Sequence, residues 1–163
     1  MASLSKSVVI HAEPERVFAY VTEPSRLPEW LPSMVEVRNV VGTGAGQQYE
    51  WTYKMAGLLL RGQSTVVEYL PNNCAVHQSI GTIGSDWTLA AEPHEEGAML
   101  RIEVEYSVPV PVLGKLAERL AVNRDARDFA LAFDNVKETL ENQSQVLVDS
   151  LERSPQSAWP KPT

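Results

Sequence analysis

The feature that most constrains the fold is one long amphipathic helix, predicted near the end of the chain over residues 113–151. Its apolar residues recur at steps of three, four or seven, the spacing that places side chains along one face of a helix. These residues are Val122, Ala126, Phe129, Phe133, Val136, Leu140 and Leu147. The other faces carry charged residues such as Asp128, Asp134 and Lys137. A helix with one apolar face needs a second layer to cover it, and the residues before it predict a β-sheet.

Seven strands are predicted before this helix, separated by short turns rich in glycine, proline or asparagine. Their predicted ranges are residues 7–12, 34–41, 48–55, 58–70, 74–80, 85–92 and 100–108. Two short helices are predicted after the first strand, one with Pro14 in its first turn and one that ends before Pro28 or Pro32. An antiparallel sheet with one apolar face must be covered by helices on that face, so the predicted fold class is α+β.

Charge and composition narrow the classes of function. The chain has 163 residues and a formal net charge of -7, which argues against nucleic-acid binding because no local cluster of lysine and arginine offsets it. It has a single cysteine, Cys74, and three dispersed histidines. No spacing matches a metal site, a phosphate-binding loop or a Ser-His-Asp triad. We therefore expect neither a metal nor another cofactor.

The length of the chain predicts a single domain, which we place at residues 1–152. Residues 153–163 contain three prolines and few apolar side chains, and we predict that they form a disordered tail. The first residues include no apolar signal segment, and no run approaches about 18 apolar residues. We therefore expect no integral membrane segment and a cytoplasmic location. The sequence favours no particular oligomeric state.

Several separated stretches resemble the START-like (SRPBCC) superfamily and, locally, its polyketide cyclase/dehydratase branch. They are VVIHAEPERVF at residues 8–18, LPEWLP at 27–32, VVEYLPN at 66–72 and NVKETLE at 135–141. The predicted order of one strand, two short helices, six strands and a long helix also resembles the helix-grip fold of START and Bet v 1-like proteins. This resemblance covers roughly residues 5–141. It implies a curved seven-stranded antiparallel sheet around the long helix, with a cavity between them.

The side chains expected on the concave side of the sheet, and therefore around a ligand, are aromatic. They are Trp30, Tyr49, Trp51, Tyr53, Trp87, Tyr106, Phe129 and Phe133. A packed core would also explain any one of them. Buried tyrosine and tryptophan, however, need hydrogen-bond partners, which fits a pocket that has a few polar groups. Trp30 lies between two prolines and either lines the entrance or seals its helix against the sheet.

Three titratable residues are candidates for catalysis: His77, Arg61 and Asp86. The sequence leaves open which face of its strand His77 occupies, and the simpler interpretation is a histidine on the wet face or hydrogen-bonded at the rim. Arg61 and Glu68 lie seven residues apart on one predicted strand. Alternation then places them on opposite faces unless a bulge intervenes, for example at Gly62.

Three functions are compatible with the sequence. The first is binding of a small hydrophobic or aromatic molecule (a lipid, a quinone or a polyketide-like compound), with Tyr49, Tyr53 or His77 orienting its polar groups. The second follows from the resemblance: a polyketide cyclase/dehydratase-type enzyme whose tyrosine and histidine or arginine groups stabilise an enolate and transfer protons. The third is a protein-interaction or regulatory module that uses the charged helix face or the proline-bearing tail.

Overall fold

The computed structural model describes residues 2–55, 57–107 and 110–152. Within the last of these ranges, side chains are described for residues 126–143, 147 and 149–152. The predicted tail at residues 153–163, and Val108 at the end of a predicted strand, lie outside the described residues. The placement of one domain at residues 1–152 stays a prediction.

The described residues form seven strands in one antiparallel sheet with the order β1-β7-β6-β5-β4-β3-β2. The strands are β1 Ala2–Ile10, β2 Met34–Val41, β3 Gln48–Met55, β4 Leu58–Leu70, β5 Cys74–Gly81, β6 Ser85–His94 and β7 Gly97–Tyr106. From β2 to β7, each strand pairs with the next one in sequence, whereas β1 pairs with β7. The curved antiparallel sheet predicted from the sequence is therefore confirmed.

Two short helices, α1 Pro14–Thr22 and α2 Leu27–Trp30, connect β1 to β2 as predicted. Pro14 begins α1. Proline has no backbone N–H, and an N–H at this first position would have no partner within the helix. A short 3-10 turn at Pro24–Arg26 leads into α2. The final helix, α3, spans Val110–Glu152, so it begins before the predicted residue 113.

The predicted boundaries differ most in the strands that form one edge of the sheet. β1 begins at Ala2 rather than at residue 7, because the alternating serines, leucine and lysine before residue 7 pair with β7. β7 begins at Gly97 rather than at residue 100, and β6 extends to His94. Pairing with a strand far away in sequence extends β1 beyond its β-branched segment, and local propensity contains no information on such a partner.

The apolar face predicted for α3 is confirmed in its middle and wrong at two flanking positions. Phe129, Phe133, Val136 and Leu140 are buried, but Ala126 and Leu147 are exposed. The side chain of Val122, also predicted on this face, lies outside the described ones. A helix of 43 residues is roughly 65 Å long by the standard rise. Seven strands extend over only about 30 Å at the usual strand spacing. The sheet therefore covers the middle of α3 and leaves residues further along it exposed.

At one end of the groove between sheet and helix, α1 packs against β6 and β7 and also contacts α3, which packs on β1. The side chains there are apolar and nearly inaccessible to solvent. They are Ile10, Val17, Val21, Leu100, Phe133, Val136 and Leu140, and we call this region the filled end. Burying one such side chain contributes about 1.5–3 kcal/mol, so the filled end stabilises the position of α3 on the sheet.

Candidate functional site

A cavity lies at the other end of the groove, between β3–β7, the segment around α2, and α3. It offers about 80 Å³ in which the centre of a water molecule fits. That space corresponds to roughly five to eight water molecules. The whole atom-free space of the cavity, including its open side, is about 860 Å³. The helix and sheet thus meet tightly at the filled end and leave a hollow here.

Most of the aromatic residues predicted to surround a ligand do line this cavity. They are Trp30, Tyr49, Trp51, Tyr53, Trp87, Tyr106 and Phe129. Phe133 does not line it, and its role as a ligand contact stays a prediction. Its ring contacts that of Phe129 at 5.2 Å, and the Lys6 ammonium lies 5.5 Å from its centroid. The two phenylalanines share one face of α3, but Phe133 lies about one turn further along, at the filled end.

The structure decides which face of β5 is concave. Ala75, His77 and Ser79 are buried on the concave face, whereas Gln78 and Ile80 are exposed. His77 lines the cavity and is 3% exposed, so the interpretation as a wet-face or rim histidine is wrong. Both sets of alternating side chains in this strand mix apolar and polar residues, and the sequence pattern was therefore ambiguous.

The register of the sheet aligns one hydroxyl-bearing residue from each of five adjacent strands. Tyr49 pairs with Ser64, Ser64 with Ser79, Ser79 with Ser85, and Ser85 with Tyr106. All five line the cavity, and we call them the hydroxyl row. Sequence reasoning missed the three serines, because a serine in a strand carries no local signal of its cross-strand neighbours.

Hydrogen bonds join part of the hydroxyl row to His77. The Tyr49 hydroxyl lies 2.8 Å from His77 Nδ1. The Ser64 and Ser79 hydroxyls are 2.5 Å apart, and Ser64 is also hydrogen-bonded to Tyr49. These four side chains therefore form one continuous chain across β3, β4 and β5.

Burial keeps both titratable members of this chain uncharged. Removal of the imidazole from water lowers the pKa of His77 from 6.5 to about 4, so the ring is neutral at neutral pH. Burial also raises the pKa of Tyr49 to about 12, which outweighs the opposing effect of the hydrogen bond with Ser64. This wall of the cavity is thus polar but carries no charge of its own.

Three buried nitrogen atoms on the cavity walls lack a hydrogen-bond partner among the described residues. They are Trp30 Nε1, Trp51 Nε1 and His77 Nε2. Buried polar atoms in folded proteins almost always have a partner, either in the protein or in a bound molecule. These atoms belong to residues that line the cavity, so a molecule bound there is a candidate for the missing partner.

The segment around α2 forms a further wall, which two polar contacts hold against α3. Ser33 donates a hydrogen bond to Asp128 Oδ2, and Asn135 Nδ2 donates to the Trp30 carbonyl at 3.2 Å. Asp128, which the sequence pattern assigned to the charged face of the helix, is half-buried and lines the cavity. Trp30 is fully buried, so it seals α2 against the fold and also lines the cavity.

The other catalytic candidates do not reach the cavity. Arg61 and Asp86 are exposed and do not line it. Arg61 and Glu68 are both exposed, because a bulge between Val66 and Glu68 shifts the alternation of β4. Gly62, where a bulge was considered, has a different role: an added Cβ would lie 2.3 Å from Trp51 Cζ2, so the glycine makes room for the indole ring.

In the described ranges of the chain, no three His, Cys, Asp or Glu side chains are grouped closely enough to hold a metal ion. In the same ranges, no helix combines the length and the apolar character required to cross a membrane.

The sequence of this chain is similar to one family of known description. The sequence model of the family described as "Polyketide cyclase / dehydrase and lipid transport" matches residues 1–141. No curated protein matches the chain.

Solved structures share the fold at low sequence identity. TTHA0849 from Thermus thermophilus has a TM-score of 0.75 and 20% identity, over 88% of this chain and 99% of that one. The KanY protein (ms6282) has a TM-score of 0.69 and 19% identity, over 86% of this chain and 97% of that one. The di-domain ARO/CYC StfQ from the steffimycin biosynthetic pathway has a TM-score of 0.70 and 17% identity, over 88% of this chain and 51% of that one. These similarities confirm the predicted helix-grip fold.

Proposed function

Because the chain belongs to the polyketide cyclase/dehydrase and lipid transport family, we propose that it binds a small, mostly apolar aromatic molecule in the cavity between the sheet and α3. The observation that carries this proposal is that the cavity has mostly apolar walls and one polar wall. Aromatic and aliphatic side chains form most of the walls, while the hydroxyl row and His77 form one polar wall. Ligand sites typically combine an apolar lining with a few placed polar groups.

The volume of the cavity favours a small guest. Space for roughly five to eight water molecules equals about 150–240 Å³ of liquid. A compound with a single aromatic ring has about this volume. A lipid chain or a polyketide with several rings requires the wall around α2 to move outward, which breaks the contacts of Ser33 and Trp30 with α3.

Binding is tested by denaturing mass spectrometry of the purified protein, together with thermal-shift screening of single-ring aromatics, quinones, fatty acids and larger aromatic polyketides. We expect single-ring compounds to raise the melting temperature most. The matched variants are Ser79→Leu, which fills the cavity from β5, and Gln78→Leu, which adds the same side chain on the exposed face. Ser79→Leu should lose the thermal shift, and Gln78→Leu should keep it.

Two results would contradict the proposal. One is the absence of any co-purifying molecule together with no thermal shift across the panel. The other is an equal shift in wild type and Ser79→Leu, which would place the bound compound outside the cavity.

A second function, a cyclase/dehydratase-type enzyme, is favoured by one specific observation. The Tyr49 hydroxyl and the His77 ring lie in contact inside the cavity, and such a pair can stabilise an enolate oxygen and transfer a proton. Ligand binding has the stronger support, because a histidine with a pKa of about 4 is a weak base at neutral pH. Arg61, the other candidate, is exposed.

Turnover is tested with a short β-diketone whose cyclisation with loss of water can be followed by absorbance. An enzyme of this type should lose activity in both His77→Phe and Tyr49→Phe, while Gln78→Phe retains it. If the diketone binds in the cavity but is recovered unchanged, the protein is a binder and the enzyme hypothesis is wrong.

A further inference from the structure

His77 Nε2, on the polar wall of the cavity, can be a hydrogen-bond donor or an acceptor, and the contact of the other ring nitrogen decides which. His77 Nε2 is buried and lacks a partner within the described ranges, whereas Nδ1 of the same ring contacts the Tyr49 hydroxyl. A neutral imidazole carries one hydrogen, on either Nδ1 or Nε2. Whether the ring offers the ligand a donor or an acceptor therefore depends on which atom of the Tyr49–His77 contact donates.

The relative acidity and basicity of the two groups favour one direction for this hydrogen bond. A tyrosine hydroxyl is a stronger acid than the N–H of a neutral imidazole, and an unprotonated imidazole nitrogen is a stronger base than a phenol oxygen. The Tyr49 hydroxyl, 2.8 Å from His77 Nδ1, is therefore the donor in this contact, and Nδ1 is the acceptor.

In this arrangement Nε2 carries the hydrogen of the neutral ring and is a buried donor on a residue that lines the cavity. Trp51 Nε1, a second buried nitrogen on the walls without a partner in the described chain, can only donate, because an indole N–H has no acceptor capacity. A guest that pairs with these N–H donors must therefore carry an oxygen atom that accepts hydrogen bonds.

Charge restricts that acceptor further. Neither His77 nor Tyr49 is charged at neutral pH, because their pKa values are about 4 and about 12. The ionisable side chain of Asp128 also lines the cavity. A guest carboxylate would meet no compensating cation on the polar wall and would lose its hydration. A neutral carbonyl loses far less on burial and accepts the same hydrogen bonds.

We propose that the guest is a neutral aromatic carbonyl compound of about one ring, whose oxygen accepts a hydrogen bond from His77 Nε2. Tyr49 acts as a positioning residue that fixes the tautomer of His77. This inference rests on the proposed function, since it assigns the chemical class of the molecule bound in the same cavity.

The test uses two probes of nearly the same shape, acetophenone and α-methylstyrene, which differ by C=O against C=CH₂. Their dissociation constants are measured by calorimetry or by displacement of a fluorescent probe in wild type, His77→Phe and Gln78→Phe. Because the two probes differ in their own hydrophobicity, the quantity of interest is the ratio of the two constants. We expect His77→Phe to reduce the relative preference for acetophenone about tenfold. Gln78→Phe, on the exposed face of the same strand, should leave the ratio unchanged.

The outcomes separate the two proposals. If both probes bind in the cavity and their ratio is the same in wild type and His77→Phe, a carbonyl acceptor at His77 is wrong while the proposed binding function stands. If neither probe nor any other single-ring compound binds, both proposals are overturned.

A measurement on the wild-type protein tests the donor independently of any variant's folding. The ¹⁵N chemical shifts of histidine distinguish a protonated ring nitrogen from an unprotonated one. We expect Nε2 of His77 to be protonated and Nδ1 to be unprotonated at pH 7, with acetophenone shifting the Nε2 signal. A protonated Nδ1 would overturn the inference. Tyr49→Phe, which removes the hydroxyl that donates to Nδ1, should reduce the acetophenone preference about threefold.

Discussion

The filled end and the cavity occupy the same groove, between the same sheet and the same helix, yet one is solid and the other hollow. The filled end is built from aliphatic side chains and Phe133, which have no polar atoms that need partners. The cavity wall instead carries the hydroxyl row, His77 and tryptophan nitrogens. Aliphatic side chains reach full contact when they close together, whereas buried donors that pack against them lose their hydrogen bonds.

The two ends of the groove therefore differ in the chemistry of their side chains. The same strand, β7, contributes Leu100 to the filled end and Tyr106 to the cavity. We therefore expect stability to be concentrated at one end and the proposed ligand binding at the other. Four variants or conditions test this separation.

The largest difference is expected between two phenylalanines one turn apart on α3. Phe133→Ala should lower the free energy of unfolding by about 3–5 kcal/mol, because it leaves a void at the filled end. Phe129→Ala should cost about half as much, because part of that ring already faces the cavity. Urea unfolding of both variants measures the contrast, with Leu131→Ala, at an exposed position on the same helix, as control. Equal costs for the two phenylalanines would remove the distinction between the ends.

The second prediction concerns pH and is specific to the cavity. His77 has a pKa of about 4 when folded and 6.5 as the reference value, so the unfolded chain binds a proton more readily. The contribution of neutral His77 is complete above pH 6.5 and is lost as the pH falls from 6.5 towards 4. The loss amounts to roughly 3 kcal/mol over that range. Urea unfolding between pH 7 and pH 4 should show this slope in wild type.

His77→Phe supplies the control for the pH dependence, because it removes the buried imidazole and keeps a ring in its place. The difference in unfolding free energy between wild type and His77→Phe should change with pH over the same interval. Parallel pH profiles for the two proteins would show that His77 titrates normally and is not buried in the folded state.

A smaller effect is expected from Gly62→Ala. The new Cβ would lie 2.3 Å from Trp51 Cζ2 and 2.5 Å from the Ile80 carbonyl oxygen, so the indole must shift. We expect a loss of about 1–3 kcal/mol in stability and weaker binding of acetophenone. Gly84→Ala is the matched control, since its nearest neighbour is the Ser79 carbonyl oxygen at 3.8 Å. Unchanged binding in Gly62→Ala would mean that the position of Trp51 does not shape the cavity.

The smallest effect is expected at the wall around α2. Ser33→Ala removes the hydrogen bond to Asp128 and should cost about 1 kcal/mol. Because the filled end does not depend on this contact, the loss should be local. Amides of α2 should exchange with deuterium about fivefold faster, while those of β7 are unchanged. Ser25→Ala, which removes an exposed hydrogen bond to Glu23, is the control. A uniform increase in exchange would indicate global destabilisation.

Much of the fold could be predicted from the sequence, because strands and helices each give apolar residues a characteristic spacing. The alternation of Leu100 to Tyr106 and the helical spacing of Phe129 to Leu140 each predict which side chains face inward. The proline signals placed the short helices after β1 correctly. The aromatic lining of the cavity was predicted for the same reason, since aromatic residues on the buried face of a strand converge on the helix.

The sequence alone thus determined the elements, their order and most of their inward faces, because these depend on neighbours a few residues away. Only the tertiary structure decided that His77 faces inward, that three serines align with Tyr49 and Tyr106, and that Phe133 belongs to the filled end. Those facts depend on register between strands, on a bulge beside Glu68 and on where the sheet meets α3. None of them can be predicted from neighbouring residues in the sequence, because each is fixed by contacts between residues far apart in the chain.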